Sequence, residues 1–193
     1  MEALKLMDYP LNEQSTGYSI DDVAKREDHA ELIDGILVVT DKTSVAHNNA
    51  VLEIATAIRH FIETNNGKCK VFTENVALYC SELCNDAENM FLPDIMTVCN
   101  ENGIKDDGVH TAPLFVTEVT SESTKRNDYG RKMVTYNDIG VKEYWVVDIQ
   151  RKVVVRYLSE SDFAPEVITY PLVEKISVHT YPSLKIDLSR IFE

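Results

Sequence analysis

The sequence predicts a mixed α/β fold, an α+β sheet with helices packed on it and extra β-hairpins. Three observations predict it. An Asp34-Gly35 pair stands between two apolar runs, a strong hairpin signal. Val51, Ile54, Ala55, Ile58, Phe61 and Ile62 recur at the spacing of one buried helical stripe. Glu143-Tyr-Trp-Val-Val-Asp148 is nearly continuous apolar sequence, as a strand buried on both faces requires. The 193 residues suit one domain, expected over 1–193, and 44% hydrophobic residues supply a core.

The elements follow in order. Ser19-Ile-Asp-Asp22 reads as a helix start with acids in its first turn, and the helix is expected to reach about Asp28. Glu31 to Val39 forms the hairpin. Ser44 caps a second helix, which Asn65, Asn66 and Gly67 end. Lys70 to Tyr79 reads as one strand and Cys80 to Asn89 as a polar loop. Phe91 to Cys99 reads as a strand interrupted by Pro93. Asn102-Gly103 and Asp107-Gly108 mark turns. Leu114 to Val119 is rich in strand formers. A helix follows from about Ser123, with Tyr129, Met133 and Tyr136 at helical spacing and Gly140 at its end. Lys152 to Leu158 returns as a hairpin partner of the 143–148 strand. Val167 to Tyr170 and Lys175 to His179 are further short strands.

The composition excludes several classes. No apolar run is long enough to cross a bilayer, and Met1 to Pro10 has no uninterrupted apolar stretch of a signal peptide. A cytoplasmic protein without a membrane partner is expected. Cys69, Cys80, Cys84 and Cys99 make no C-x-x-C pair. Reduced, mostly buried thiols are the expectation, ahead of a zinc site. No P-loop and no G-x-G-x-x-G occurs. The net charge of −13, from 19 Lys+Arg and 32 Asp+Glu, works against coating a polyanion. It leaves room for a local basic patch or for metal ions.

Two carboxylates stand out. Asp94 follows Pro93 at a strand start, and Glu118 interrupts an apolar strand between Val116 and Val119. A buried carboxylate needs a cation, a proton or hydrogen bonds. On neighbouring strands the pair could share one Mg2+, which takes one or two carboxylates and leaves room for water and phosphate. The plain alternatives are a turn aspartate and a glutamate on the solvent face.

Taken together, Glu31-Leu-Ile-Asp-Gly35, Leu92-Pro-Asp94, Val116-Thr-Glu-Val-Thr-Ser-Glu-Ser-Thr124, Asp128-x-x-x-Lys132-x-x-x-Tyr136 and Gly140-Val-Lys-Glu-Tyr-Trp-Val-Val-Asp148 resemble the Uma-family restriction endonucleases of the PD-(D/E)XK superfamily. The resemblance runs from Tyr18 to Leu158. Each motif is weak alone, and the ordered set is specific. It implies a restriction-endonuclease-like core and a divalent-metal phosphodiesterase site. Asp94 matches the PD aspartate, Glu118 the strand glutamate and Glu31 the upstream acid.

The chain departs from the superfamily pattern at Thr120, where the lysine of E-x-K should stand, and Lys132 matches the family's helical lysine instead. A second departure is Glu122, where the family usually carries proline. The expected function is Mg2+- or Mn2+-dependent hydrolysis of DNA. Asp94, Glu118 and the Val119 carbonyl would hold the ion, Glu31 would assist it or position water, and Lys132 would be the charged helper that orients the attacking water or stabilises phosphorane charge. A homodimer is expected. The rival is a catalytically silent binding or regulatory module on the same fold, favoured by Thr120, Glu122 and the charge. For Lys132 alone, the plain alternative is an Asp128–Lys132 pair on a solvated helix face, whose loss would barely change stability. Lys125, Arg126, Arg131 and Lys132 form the densest basic cluster, read either as a phosphate-attracting patch or as one charged helix face. His47 reads as a polar helix-start residue that could face the site, and Tyr144 and Trp145 as core.

Overall fold

In the computed structural model, residues 17–26, 28–40, 42–84, 88–159, 164–171 and 175–192 are described; Met1 to Pro10 lies outside them. Helix α1 is confined to Ile20–Val23, where Ser19 and Asp22 close a capping box, so the expected extension to Asp28 does not form. Strands β1 (Ala30–Ile33) and β2 (Ile36–Val39) make the hairpin. Asp34 and Gly35 both take positive φ, 53° and 72°, as a two-residue turn of this hand demands. Helix α2 (Val45–Thr64) starts at Ser44, whose hydroxyl accepts the His47 N–H. It buries Ala50, Val51, Ile54, Ala55, Ile58 and Ile62.

Both strands expected between Lys70 and Cys99 divide and pass from one sheet to another. Lys70–Thr73 (β3) belongs to one sheet and Leu78–Tyr79 (β4) to the other. The chain turns between them at Glu74 and Asn75, whose φ values are 25° and 55°. Met90–Phe91 (β5) pairs with β1 and β4, and Ile95–Val98 (β6) pairs with β3; Leu92, Pro93 and Asp94 carry the chain across. Proline has no N–H for a ladder, so the break falls where the sequence places it. The two crossings run side by side, with the Glu74 N–H donating to the Asp94 carbonyl at 3.2 Å.

The next strands are β7 (Ile104–Lys105), β8 (Gly108–Val109), β9 (Phe115–Thr120), β10 (Glu143–Asp148), β11 (Val153–Leu158) and β12 (Glu166–Pro171). Among the described residues one sheet has the order β2-β1-β5-β4-β8-β7 and the second β12-β11-β10-β9-β6-β3. Strands β9 and β10 are parallel and central, buried at every position. Their connection is a helical segment: α3 (Lys125–Asn127), a π-turn over Asp128–Lys132 and α4 (Met133–Asp138). Gly140 ends it at φ 92°.

Strands β13 (Lys175–Ser177) and β14 (Lys185–Asp187) and helix α5 (Leu188–Ile191) close the chain. Phe115, Val119, Trp145 and Val147 pack on α2 and this C-terminal segment. Met96, Val116, Tyr144 and Val146 face the other way, toward Tyr136, Ile139 and Phe91. Tyr144 and Trp145 are therefore core on opposite faces of one strand.

The thiol expectation holds only in part. Cys80 and Cys84 are not joined in a disulfide, but Cys69 and Cys99 are. Lys70 is paired with Val98, so the next residues outward on β3 and β6 face each other directly. Such pairing between distant segments is invisible in sequence spacing. No helix among the described residues is long and apolar enough to cross a membrane.

Candidate active site

The site gathers where β5 gives way to β6, against the end of β9 and the π-turn. Ile95 pairs with Thr117, so one step further Asp94 lies opposite Glu118. Their side chains lock the two segments together. The Asp94 N–H donates to Glu118 Oε2 at 3.3 Å, and the Val119 N–H donates to Asp94 Oδ2 at 2.7 Å. Glu118 is 3% exposed, so it does not face solvent.

Lys132 reaches the same point from the π-turn. Its Nζ lies 3.0 Å from Glu118 Oε1, 2.8 Å from Glu31 Oε1 and 3.7 Å from Asp128 Oδ1. Glu31 projects from β1 and also accepts the Leu92 N–H at 2.8 Å, which ties it to the crossing that carries Asp94. Tyr136, one turn beyond Lys132, donates to Glu118 Oε1 at 2.6 Å. Lys132 is 4% exposed and Asp128 2%. The pair expected on a solvated helix face is buried, because the widened turn directs both residues inward.

Three carboxylates around one ammonium in a dry setting carry excess negative charge. Burial pushes Glu118 well above its usual carboxylate range, and Lys132 offsets this only in part against Asp94, Asp128 and Glu31. Burial also lifts Asp128 to about 6, against the pull of Lys132. For Lys132, burial disfavours the ammonium, but Glu118, Glu31 and Asp128 outweigh it and hold the group firmly charged.

The basic cluster is neither a single face nor an open patch. Lys125 binds Asp148 at 2.8 Å, Arg131 binds Asp34 at 2.6 Å, Lys132 is buried, and Arg126 is exposed. Thr120 is buried at the position of the superfamily lysine, and its hydroxyl turns to the Ser121 carbonyl at 3.3 Å. Glu122 is exposed.

On the outward side of Asp94 stand His47 and Glu74. His47, read as a helix-start residue, turns inward, with Nε2 3.1 Å from Asp94 Oδ1 and 3.8 Å from Glu74 Oε1. Burial works against its imidazolium, but Asp94, with Glu74 behind it, outweighs this and raises its pKa. Glu74 lies inside the segment expected as one strand, where the Glu74-Asn75 pair is the available signal for a break. Asp128 and Tyr136 stand in the Asp128-x-x-x-Lys132-x-x-x-Tyr136 motif, but the sequence assigns neither of them a role at the site.

The donors suit a divalent ion. Asp94 and Glu118 offer carboxylate oxygens on adjacent segments, and Glu118 Oε2 keeps acceptor capacity beyond the Asp94 N–H. The chain can therefore hold a cation beside a fixed ammonium, the elements of phosphoryl-transfer chemistry.

Comparison with known proteins agrees with this architecture. The profile of the Uma2 family, described as "Putative restriction endonuclease", matches residues 18–189. A crystal structure described as "a putative nuclease belonging to DUF820", from Anabaena variabilis ATCC 29413, aligns with a TM-score of 0.70. The alignment covers 91% of this chain and 98% of that one at 18% identity, which shows a shared fold. No curated protein matches the sequence. With nearly its whole length matched and a fold shared with a nuclease-like structure, the chain belongs to the Uma2 family of restriction-endonuclease-type proteins.

Proposed function

We propose that the protein is an endonuclease that hydrolyses DNA phosphodiester bonds with Mg2+ or Mn2+. The observation that carries this reading is the meeting of Glu31, Glu118 and Lys132 in one buried cluster, to which Asp94 is tied by its backbone N–H on Glu118 Oε2 and by its carboxylate on the Val119 N–H. Asp94, Glu118 and the Val119 carbonyl would hold the ion, which would supply Lewis acidity toward a phosphate oxygen and a bound water. Glu31 and Tyr136 fix the positions of Lys132 and Glu118. Lys132 supplies positive charge toward the phosphorane as water adds to phosphorus and the leaving oxygen departs. Substrate enters from the side of His47 and Glu74, because Glu31, Glu118 and Lys132 are sealed below. A homodimer would present two such sites to a duplex.

The test is single-turnover cleavage of plasmid DNA with Mn2+ or Mg2+, at low salt to offset the −13 charge. Wild type should cut and Asp94→Asn should not. Equal cutting by Asp94→Asn refutes the reading. No cutting of any DNA with either ion leaves the silent nuclease-fold module, which the complete internal pairing of Lys132 favours.

A further inference from the structure

We propose that the Cys69–Cys99 disulfide is a thiol-exchange site, opened and closed by small anionic thiols, and that its state governs how firmly β3 holds the crossing at Glu74. The proposal stands apart from the nuclease reading and does not need it.

The bond joins the start of β3 to the end of β6. Among the described residues β3 is the last strand of its sheet and pairs with β6 alone. Its four residues are exposed or half-buried. So short an edge strand rests on few contacts and opens locally at low cost. Its far end leads directly to the candidate site. Thr73 pairs with Ile95, and one step on the Glu74 N–H donates to the Asp94 carbonyl at 3.2 Å. Disulfide and crossing therefore stand at opposite ends of one ladder. Closing the outer end covalently restricts the separations the two strands can reach, and opening it frees the ladder to fray.

The second observation is access. Cys99 is exposed and Cys69 half-buried. Cys69 also lines a hollow of about 270 Å3 together with Arg59, Glu63 and Lys70. Exchange needs a path for a thiolate to one sulfur, and exposed disulfides are the ones that exchange readily. Two cations against one carboxylate make the hollow locally positive in a chain of net charge −13. Arg59 is paired with Glu63 at 2.9 Å and Lys70 with Glu101 at 3.8 Å, but all four side chains are more than half exposed. Such pairs rearrange at little cost, so both cations can turn to an incoming anion.

The chemistry balances without a further reactant. A small thiolate attacks Cys69 Sγ, the Sγ–Sγ bond breaks, and Cys99 leaves as a thiolate that takes a proton from water. A second small thiolate attacks the mixed disulfide and releases Cys69 as a thiolate, which is protonated in turn. Two small thiols are oxidised to their disulfide, and the protein disulfide is reduced to two thiols. The reverse steps close the bond again.

The experiment uses the full chain, with glutathione as the anionic probe and 2-mercaptoethanol as the uncharged one. Alkylation and mass spectrometry count the thiols of the native protein, and hydrogen exchange follows the 70–75 segment. The bond should persist in oxidised glutathione and open in the folded protein at about 10 mM reduced glutathione, where a resistant structural disulfide stays closed. Opening should speed exchange of the 70–75 segment at least about tenfold and leave the 143–148 strand unchanged over the same interval. Cys69→Ser/Cys99→Ser should exchange at the fast rate whatever thiol is present; if it does not fold, reduced wild type carries this arm. Arg59→Ala/Lys70→Ala should slow opening by glutathione at least about threefold and leave opening by 2-mercaptoethanol unchanged. A bond that survives reduced glutathione overturns the proposal. So does opening that leaves the 70–75 segment as protected as before, or that speeds exchange uniformly along the chain. Equal slowing of both thiols in the double variant overturns the anionic preference. None of these readouts involves DNA, so their failure leaves the nuclease reading untouched.

Discussion

Replacing Lys132 by Met removes a charge while keeping most of the stem that crosses the interior. In the structure this charge faces Glu31 at 2.8 Å, Glu118 at 3.0 Å and Asp128 at 3.7 Å, all nearly inaccessible. An exposed pair would cost a few tenths of a kcal/mol, but removing one partner of a buried pair costs about 3–5 kcal/mol. That is a large share of the roughly 5–15 kcal/mol total of a typical domain. For a chain of this size it lowers the melting temperature by about 6–20 °C. The abandoned carboxylates can recover by taking up protons, so the loss should shrink from pH 8 to pH 5. Glu118→Gln in the Lys132→Met background should restore part of the stability, since it removes one of the stranded charges. Urea unfolding followed by circular dichroism at both pH values measures all of this. If Lys132→Met unfolds at the wild-type urea concentration at pH 8, the buried cluster is not ionised as described, and Lys132 returns to the solvated-helix reading.

Asp128 has a folded pKa raised from 3.8 to about 6, so the native state favours its neutral form. Its contribution is present below pH 4 and is lost as pH rises to 6, by about 3 kcal/mol. Asp128→Asn should therefore gain stability relative to wild type between pH 4 and 7, and parallel urea profiles would refute this. Glu143 is buried and accepts from the Trp145 indole, the His179 N–H and both the N–H and hydroxyl of Thr180. Glu143→Ala should cost at least about 3 kcal/mol and shift Trp145 fluorescence; unchanged emission and midpoint would refute that anchoring. The Cys69–Cys99 disulfide spans 30 residues, and its loss in Cys69→Ser/Cys99→Ser should cost about 3–4 kcal/mol by loop entropy. A melting temperature equal to that of the oxidised wild type would show that it contributes nothing.

The sequence alone determined what depends on local chemistry. The Asp34-Gly35 hairpin, the buried stripe of α2 and the apolar β10 strand all follow from turn geometry and periodicity, and they lie where those rules place them. The ordered motifs pointed to Glu31, Asp94, Glu118 and Lys132, although none of the four announced its role alone. Tertiary structure decided the rest. Burial turned Asp128–Lys132 from a surface pair into the charged centre of the site, a change no i,i+4 spacing reveals. The splitting of the 70–79 and 91–99 segments between two sheets brought Glu74 beside Asp94, and the direction of the first turn of α2 added His47. The Cys69–Cys99 pair depended in the same way on β3 lying against β6. Side-chain periodicity is local and survives in sequence. Strand adjacency and the dielectric around a charge are set by segments far apart in the chain, and exist only once it has folded.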